Sequence, residues 1–316
     1  LAAKIDYPCG CQSGNCGACK SRLFTGKVDL APYSEFALET SERDQGLVLA
    51  CRSVPLTDCE IAPLDQDEVV AHPHRVMDCK IGRITEATHD IRVIQIDVII
   101  GGPFSFSPGQ YAALTFSGLP PRDFSMANRA DEDRLEFHIR RITGGKVSDH
   151  ILDQLKVGDR VNVEGPYGVS YLRKLHRGPI LAVAGSTGLA PIKSIVGSAL
   201  QIGMKQSIYL YLGVRDERDL YMTDALELLA TDYPSLTFTP VLSEPSEQVK
   251  YRSGLVTDAV LSDFDDLDGC KAYIAGPPAM VEMAVEKFQL LGIRREDCPA
   301  NAFYTEAEKA ILDQGE

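Results

Sequence analysis

Four cysteines near the start of the chain have the type and spacing needed to hold an iron–sulfur cluster. Cys11, Cys16 and Cys19 lie in one C-x4-C-x2-C run, and Cys51 follows at a distance. This is the ligand spacing of plant-type 2Fe–2S clusters. A zinc site or a disulfide framework is the alternative, but zinc sites usually contain two short C-x2-C pairs, and this segment has one. We therefore predict a 2Fe–2S cluster, with Cys9 as the alternative to Cys11.

A second group of residues has the side chains that bind a flavin. Arg122, Asp123, Phe124 and Ser125 form an R-D-F-S run. Phe124 offers an aromatic face, Ser125 a hydroxyl for the flavin N5, and Arg122 a cation for the pyrophosphate. A surface ion pair for Arg122 and a core position for Phe124 are the alternative. The neighbouring motifs favour the flavin.

Two motifs downstream of this run supply further candidates for the flavin site. The first is F-H-I-R-R and the second is G-G-K-V-S, and together they contribute His138, Ile139, Arg140, Gly145, Lys146, Val147 and Ser148. We expect a helix from Ser148 to Leu155, with Ser148 as its N-cap. The first backbone N–H groups of that helix would receive the pyrophosphate.

Two glycine-rich turns predict a dinucleotide site. In the first, G-S-T-G-L-A-P, an apolar strand runs into a helix, and in the second, A-G-P-P-A-M, another strand ends. Glycines let the backbone approach a phosphate, and ligands of open α/β sheets bind beyond the carboxyl ends of the strands. A tight turn without a ligand is the alternative, because neither run is G-x-G-x-x-G. The candidates are Gly185, Ser186, Thr187, Gly188, Pro191, Gly276, Pro277 and Met280.

The elements expected around these motifs change in type along the chain. Short strands separated by Gly and Pro clusters begin near residue 75 and predict an antiparallel β-barrel. From Pro179 strands alternate with helices, which predicts a doubly wound parallel sheet. The predicted segments are a cluster domain (1–66), a linker (67–74), a flavin-binding barrel (75–177), a dinucleotide-binding domain (178–304) and a C-terminal tail (305–316).

Composition narrows the function classes. The net charge of −13 argues against nucleic-acid binding, which needs a basic surface, and suits a partner with a basic patch. No apolar run is long enough to cross a bilayer, so no membrane association is expected. Nine cysteines, four of them assigned to a cluster, suggest the reducing cytoplasm.

The order of these motifs resembles the reductase components of Rieske-type ring-hydroxylating dioxygenases, most closely the naphthalene dioxygenase reductase type. These belong to the ferredoxin–NADP reductase superfamily, and the resemblance covers essentially the whole chain. It implies a β-grasp-like 2Fe–2S domain, an FAD barrel and an NAD domain. It also implies that Phe303 and Tyr304 cover the flavin ring, and that Ser125, Thr187 and Phe303 are the catalytic residues. The hairpin and helix that open a ferredoxin-type domain would then precede Leu1.

The resemblance implies an oxidoreductase that passes electrons from NADH through FAD to the cluster, and then to a Rieske ferredoxin or the oxygenase. A monomer is expected. Ala275 stands where the superfamily often has cysteine, so no thiol at that position can act in hydride transfer. Acidic residues beside Arg215, including Asp216, disfavour a 2′-phosphate and hence NADPH, whereas Arg215 and Arg218 favour it; NADH is the cofactor expected.

Three other functions remain open from the sequence. Two belong to the same class: a reductase for a di-iron monooxygenase of the phenol or methane type, and a reductase for a deoxysugar dehydrase. The third is a non-enzymatic iron–sulfur subunit or redox sensor. The last would have no use for the flavin and nucleotide motifs together.

Overall fold

The computed structural model describes residues 7–8, 10–64, 68–246 and 250–313. Its backbone falls into two compact units. The first unit contains the chain before His72, the short segment Tyr167–Val169, and the chain from Ala302 onward. The second contains His72–Pro166 and Ser170–Asn301. Cys9 lies outside the described residues, so the structure does not test it as a ligand.

The first unit is built from short antiparallel strands. Its elements are β1 (Lys20–Thr25), β2 (Val28–Leu30), α1 (Thr40–Asp44), β3 (Leu47–Leu49), β4 (Ser53–Pro55), β5 (Glu60–Pro63) and, near the C-terminus, α7 (Glu306–Asp313). Strand β1 lies between β3 and β5, while β2 pairs with β4. A small apolar core of Ala37, Leu38, Leu47 and Leu49 also contains Cys19. One predicted cluster ligand is therefore anchored in the core of its unit.

The first half of the second unit is a six-stranded antiparallel barrel. Its elements are β6 (Arg75–Glu86), β7 (Ile91–Ile100), β8 (Tyr111–Phe116), β9 (Arg122–Ser125), β10 (Leu135–Arg140), α2 (Lys146–Asp153) and β11 (Arg160–Tyr167). The strand order is β10-β7-β6-β11-β8-β9, and a bridge between Met126 and Phe137 joins the two edge strands. Along β10, Leu135, Phe137 and Ile139 belong to the barrel core, so the residues between them point outward.

The second half is a parallel sheet flanked by helices. Its elements are β12 (Ile180–Gly185), α3 (Leu189–Gln201), β13 (Ile208–Val214), α4 (Thr223–Asp232), β14 (Leu236–Leu242), β15 (Arg252–Ser253), α5 (Val256–Asp263), β16 (Lys271–Gly276), α6 (Pro278–Leu290) and β17 (Ala300–Ala302). The strand order is β15-β14-β13-β12-β16-β17, with β12 parallel to both β13 and β16. This order brings the carboxyl ends of β12 and β16, where the glycine turns begin, side by side.

The structure confirms the predicted fold class, but it corrects the start of one helix. Helix α2 begins at Lys146 with Gly145 as its N-cap, so Ser148 is not the cap. The Ser148 hydroxyl accepts from the Ile142 N–H at 3.0 Å and donates to the Gly145 carbonyl at 2.9 Å. It closes the loop before the helix instead of capping it. Among the described residues, no helix is long and apolar enough to span a membrane.

Candidate cofactor sites

The four predicted cluster ligands form two pairs of thiols. The Cys11 N–H donates to Cys16 Sγ at 3.3 Å, and the Cys51 N–H donates to Cys19 Sγ at 3.4 Å. A hydrogen bond from the Cys16 thiol lowers the pKa of Cys11 to about 5, and one from the Cys51 thiol lowers the pKa of Cys19 to about 7. Each pair therefore has one sulfur that readily carries negative charge, as a metal ligand must.

The backbone around these thiols is shaped to enclose them. The Asn15 N–H donates to Cys11 Sγ at 3.2 Å. Gly14 and Gly17 have φ of 79° and 70°, a left-handed conformation that residues with a side chain rarely adopt. A Cβ on Gly17 would lie 2.9 Å from the Ala37 carbonyl, and one on Gly10 would lie 2.8 Å from Cys16 Sγ. The loop over residues 10–19, called the cluster loop below, has no room for bulkier residues at these points.

Two pairs of sulfur donors fit a two-iron cluster, in which each iron takes two protein thiolates. Such a cluster supplies a one-electron carrier. The protein provides the four thiolates, together with backbone N–H groups that stabilise their negative charge.

The predicted flavin run R-D-F-S forms strand β9, and its last residue is buried. Ser125 is 8% exposed and pairs with Tyr111 of β8. Its hydroxyl accepts from Asn301 Nδ2 at 3.4 Å, which links the end of β9 to β17 of the parallel sheet. The guanidinium of Arg122 donates to the Pro121 carbonyl at 2.7 Å. Arg122 and Asp123 make further contacts within the protein.

The residues after β10 complete the predicted flavin candidates. Gly145 and Lys146 begin α2, whose first N–H groups have no partner within the helix. Val147 is buried in the barrel core. A cation at Arg122 and a free helix start are the groups expected to hold a pyrophosphate, so these residues fit an FAD.

The two predicted nucleotide turns pack directly against each other. A Cβ on Gly188 would lie 2.0 Å from the Ala275 carbonyl, and one on Gly185 would lie 2.6 Å from Met280 Sδ. Gly276 has φ of 150° and lies against the backbone of Gly185. The glycines are thus required by the contact between the turns. Both turns lie at the edge of the sheet, beyond the carboxyl ends of β12 and β16, where ligands of open α/β sheets bind.

A charged network follows the first turn. Arg140, at the end of β10, donates to Asp90 Oδ2 at 2.7 Å and to Ser186 Oγ at 3.4 Å. Burial alone would raise the pKa of Asp90, but the hydrogen bond from Arg140 leaves it lowered. On the sheet side, Arg215 donates both arms of its guanidinium to Asp219, at 2.7 and 3.2 Å. Arg215 is therefore already neutralised by a carboxylate.

The remaining predicted residues lie in loops of the sheet half, in α3 and directly after β17. Asp216 accepts from the Arg218 N–H, and Pro191 lies in the first turn of α3, as its type predicts. Thr187 lies in the short 3-10 turn Ser186–Gly188. Phe303 and Tyr304 follow β17 directly and are half-buried, and their predicted role over the flavin stays a prediction.

The His138 side chain is completely buried, which differs from the position expected of a side chain that lines a ligand site. Its side chain has 0% exposure, and its two ring nitrogens face the Tyr221 hydroxyl at 3.0 Å and Glu136 Oε1 at 3.1 Å. Any contact of His138 with a cofactor would therefore involve its backbone. Glu136, Tyr221 and their partner Lys193 were missed at the sequence level, because an outward Glu or Lys on its own reads as a surface residue.

Comparison with known proteins assigns all three parts of the chain. Residues 1–56 match the 2Fe-2S iron-sulfur cluster binding domain, residues 78–172 the oxidoreductase FAD-binding domain, and residues 182–286 the oxidoreductase NAD-binding domain. The protein therefore uses a 2Fe–2S cluster, FAD and NAD.

Relatives and a solved structure match nearly the whole chain. The reductase component of the naphthalene 1,2-dioxygenase system of Pseudomonas putida is 42% identical over 93% of this chain and 88% of its own length. The reductase component of phenol 2-monooxygenase from a Pseudomonas species is 33% identical over 98% of this chain and 89% of its own. The crystal structure of the Amycolatopsis cytochrome P450 reductase GcoB superposes with a TM-score of 0.81 at 35% identity, covering 96% of this chain and 92% of that one.

Proposed function

The chain belongs to the family of ferredoxin–NAD(P)+ reductase components of oxygenase systems, and from that premise we propose its partner and the roles of its residues. The protein is an oxidoreductase that takes electrons from NAD(P)H. The partner we propose is a one-electron acceptor of an aromatic-ring dioxygenase system, either a Rieske ferredoxin or the terminal oxygenase. The 42% identity to a naphthalene 1,2-dioxygenase reductase component carries this assignment.

The cofactors divide the work between two-electron and one-electron chemistry. NADH gives up two electrons with its hydride, and the acceptor takes one at a time, so a flavin must stand between donor and cluster. We assign Cys11, Cys16, Cys19 and Cys51 to the cluster. Their arrangement in two thiol pairs supports this assignment.

Separate residues would hold the two nucleotides. We assign Arg122 and the start of α2 to the FAD pyrophosphate, and Ser125 to the reactive edge of its ring. Thr187 and the paired glycine turns would hold the nicotinamide end of NADH. The hydrogen bond from Arg140 to Ser186, which joins the barrel to the first turn, supports a shared site.

We further propose NADH in preference to NADPH. A 2′-phosphate needs a free cation, and the guanidinium of Arg215 is held by Asp219 at 2.7 Å. The protein would act in the cytoplasm, which agrees with eight described cysteines that are all free thiols. The proposed domain limits near residues 75 and 178 agree with the starts of β6 at Arg75 and β12 at Ile180.

A reductase for a di-iron phenol hydroxylase is the second candidate. The 33% identity to a phenol 2-monooxygenase reductase component favours it over the remaining alternatives. The two candidates differ only in the acceptor, so the acceptor is what the experiment must vary.

The test is anaerobic stopped-flow mixing of the FAD- and cluster-loaded protein with NADH, followed by each acceptor in turn. We expect the flavin absorbance to bleach first and the cluster absorbance second. A Rieske ferredoxin should then be reduced faster than a phenol-hydroxylase component. Cluster bleaching ahead of the flavin would refute the electron path, and faster reduction of the phenol-hydroxylase component would overturn the partner.

Docking of the acceptor should depend on ionic strength. The net charge of −13 favours a partner with a basic patch, and salt screens such attraction over a Debye length of about 10 Å at 0.1 M. We expect the rate of acceptor reduction to fall as salt rises, while flavin reduction by NADH changes little. Acceptor reduction that is independent of salt would contradict electrostatic docking alone. Analytical ultracentrifugation tests the proposed monomer.

A further inference from the structure

The barrel and the parallel sheet are connected by a charged contact centred on the half-buried Lys193. Lys193 lies in the first half of α3, the helix that follows the first nucleotide turn. Its ammonium donates to Glu136 Oε1 at 2.9 Å and to the Ala127 carbonyl at 3.1 Å. The next residue, Ser194, donates its hydroxyl to the Asn128 carbonyl at 2.6 Å. One end of α3 is thus bonded to the barrel at three points.

The acceptors of this contact directly follow the flavin strand. Ala127 and Asn128 come two and three residues after Ser125, the last residue of β9. The Ala127 N–H donates to the Glu136 carbonyl at 2.7 Å, and Asn128 Oδ1 accepts from the Glu136 N–H at 3.0 Å. The segment after the flavin strand and the Glu136 carboxylate of β10 are therefore hydrogen-bonded together and form one surface that binds α3.

A chain of hydrogen bonds continues from Glu136 into the interior. Burial alone would raise the pKa of Glu136, but the hydrogen bond from His138 and the charge of Lys193 hold it well below its usual range. Burial lowers the pKa of His138, so the ring is neutral. With Glu136 ionised, His138 Nε2 must carry the proton it donates to the carboxylate. Nδ1 then accepts from Tyr221, which belongs to the sheet half.

These hydrogen bonds therefore link the two halves of the second unit at two points. Lys193 of the sheet half donates to Glu136, and Tyr221 of the sheet half donates to His138. The Glu136 side chain is 11% exposed and that of His138 is 0% exposed, so water competes little for these bonds. A second arm from Gln95 Nε2 to Glu136 Oε2 at 3.1 Å fixes the carboxylate from the barrel side.

We propose that Lys193 and Glu136 are positioning residues that set the distance between the first nucleotide turn and the flavin strand. Neither residue touches the reacting atoms. Lys193 acts through α3, whose start carries the turn Gly185–Gly188, and Glu136 acts through the segment that follows Ser125. The inference rests on the proposed placement of NADH and FAD at these two elements. A small displacement between them would slow hydride transfer without a matching loss of NADH affinity.

The test uses FAD- and cluster-loaded Lys193→Met, Lys193→Gln and Lys193→Arg. We expect flavin reduction by saturating NADH to slow by at least about tenfold in Lys193→Met, with the NADH dissociation constant changed less than about twofold. Flavin reduction should be slow in Lys193→Gln as well, because the charge is lost even though a hydrogen-bond donor remains. Lys193→Arg should recover most of the rate, because its guanidinium can reach both the Glu136 carboxylate and the Ala127 carbonyl.

Hydrogen exchange gives a readout that does not depend on activity. In Lys193→Met, the amides of residues 126–128 and of the first turns of α3 should exchange faster, while β12 to β14 should not change. The matched control is Lys287→Met, since Lys287 of α6 pairs with Asp258 of α5 at 2.8 Å, within the sheet half, and is 34% exposed against 28% for Lys193. This control should match the wild type in flavin reduction and in exchange at residues 126–128.

The outcomes separate this inference from the proposed function. Wild-type protein whose flavin is not reduced by NADH would refute the proposed function. Wild-type reduction together with unchanged rates in both Lys193→Met and Lys193→Gln would overturn only the positioning role. Loss of NADH affinity in proportion to the rate would also overturn it, because Lys193 would then act in nucleotide binding. Equal slowing of flavin reduction in Lys287→Met would show that the effect is general destabilisation, which would also overturn the positioning role.

Discussion

The cluster loop and the contact between barrel and parallel sheet hold their polar groups in different ways. In the cluster loop the Asn15 N–H binds a sulfur four residues away, and glycines with positive φ allow the chain to fold tightly around the thiols. At the barrel–sheet contact, Lys193 binds a carboxylate 57 residues away. The first arrangement is formed by backbone over a short stretch, and the second by side chains that only the tertiary fold brings together.

This difference predicts how each region fails. The cluster site, formed by one short loop together with Cys51, should lose its cofactor when one ligand is removed and leave the rest of the protein unaffected. A site assembled from distant elements should keep its cofactors when a contact is removed, but the distance between those elements should change. The predictions below test this contrast, from the largest expected effect to the smallest.

Removal of one cluster ligand should give the largest effect. Cys51→Ser leaves Cys19 without its partner thiol, and we expect loss of the reduced-cluster EPR signal and of electron transfer to any protein acceptor. Flavin reduction by NADH should stay near the wild-type rate, because the flavin and nucleotide candidates other than Phe303 and Tyr304 lie in the second unit. The control is Cys59→Ser, an exposed thiol of the same unit. A full cluster signal in Cys51→Ser would show that the ligand set is wrong.

Filling the contact between the nucleotide turns should come next. In Gly188→Ala the new Cβ would lie 2.0 Å from the Ala275 carbonyl, and backbone cannot easily move away. We expect a loss of about 1–3 kcal/mol or more in unfolding free energy, with impaired NADH oxidation. Gly197→Ala in the same helix is the control, because its Cβ would lie 3.5 Å from Arg129 and alanine favours a helix by about 0.5–1 kcal/mol. Calorimetry that finds both variants alike would contradict the packing argument.

Substitutions in the flavin strand should have smaller effects, one on FAD binding and the other on the rate of flavin reduction. Arg122→Ala removes a cation from the proposed pyrophosphate site, which we expect to weaken FAD binding by about 1.5–3 kcal/mol. Ser125→Ala should instead slow flavin reduction more than it weakens FAD binding, because Ser125 lies at the proposed reactive edge. Fluorescence titration with FAD and stopped-flow reduction separate the two. Normal FAD affinity and normal reduction in both variants would remove these residues from the site.

The smallest effect concerns the charge of Glu136. Because the pKa of Glu136 is lowered in the folded protein, its carboxylate stabilises the fold above its unfolded pKa of about 4.3 and loses that contribution as the pH falls towards the folded value. The difference in unfolding free energy between wild type and Glu136→Gln should shrink as the pH falls below about 4. Urea denaturation across this range measures it. A difference that stays constant down to pH 3 would show that the carboxylate charge does not stabilise the contact.

The sequence predicted the local features well and the distant ones poorly. Strand β6 begins at Arg75 and strand β12 at Ile180, next to the two points, near residue 75 and at Pro179, where the change of sequence pattern predicted the barrel and the parallel sheet to start. The start of α2 was misplaced because Ser148 is a good N-cap by type, and only the structure shows its hydroxyl committed to Ile142 and Gly145. Lys193, Glu136 and Tyr221 carry no local signal at all, since each gains its meaning from a partner on another element.

The bonds from Lys193 and Ser194 to the segment after β9 also limit how reductases of this kind can be recombined. A chimera that joins the barrel of one relative to the parallel sheet of another would need a matching base–acid pair at positions 193 and 136, and a hydroxyl at 194 facing the correct carbonyl. The cluster loop makes no such demand within its own unit. Exchange of residues 1–66 at the 67–74 linker should therefore succeed more often than a cut near residue 178, and the flavin and nucleotide halves are best inherited as one piece.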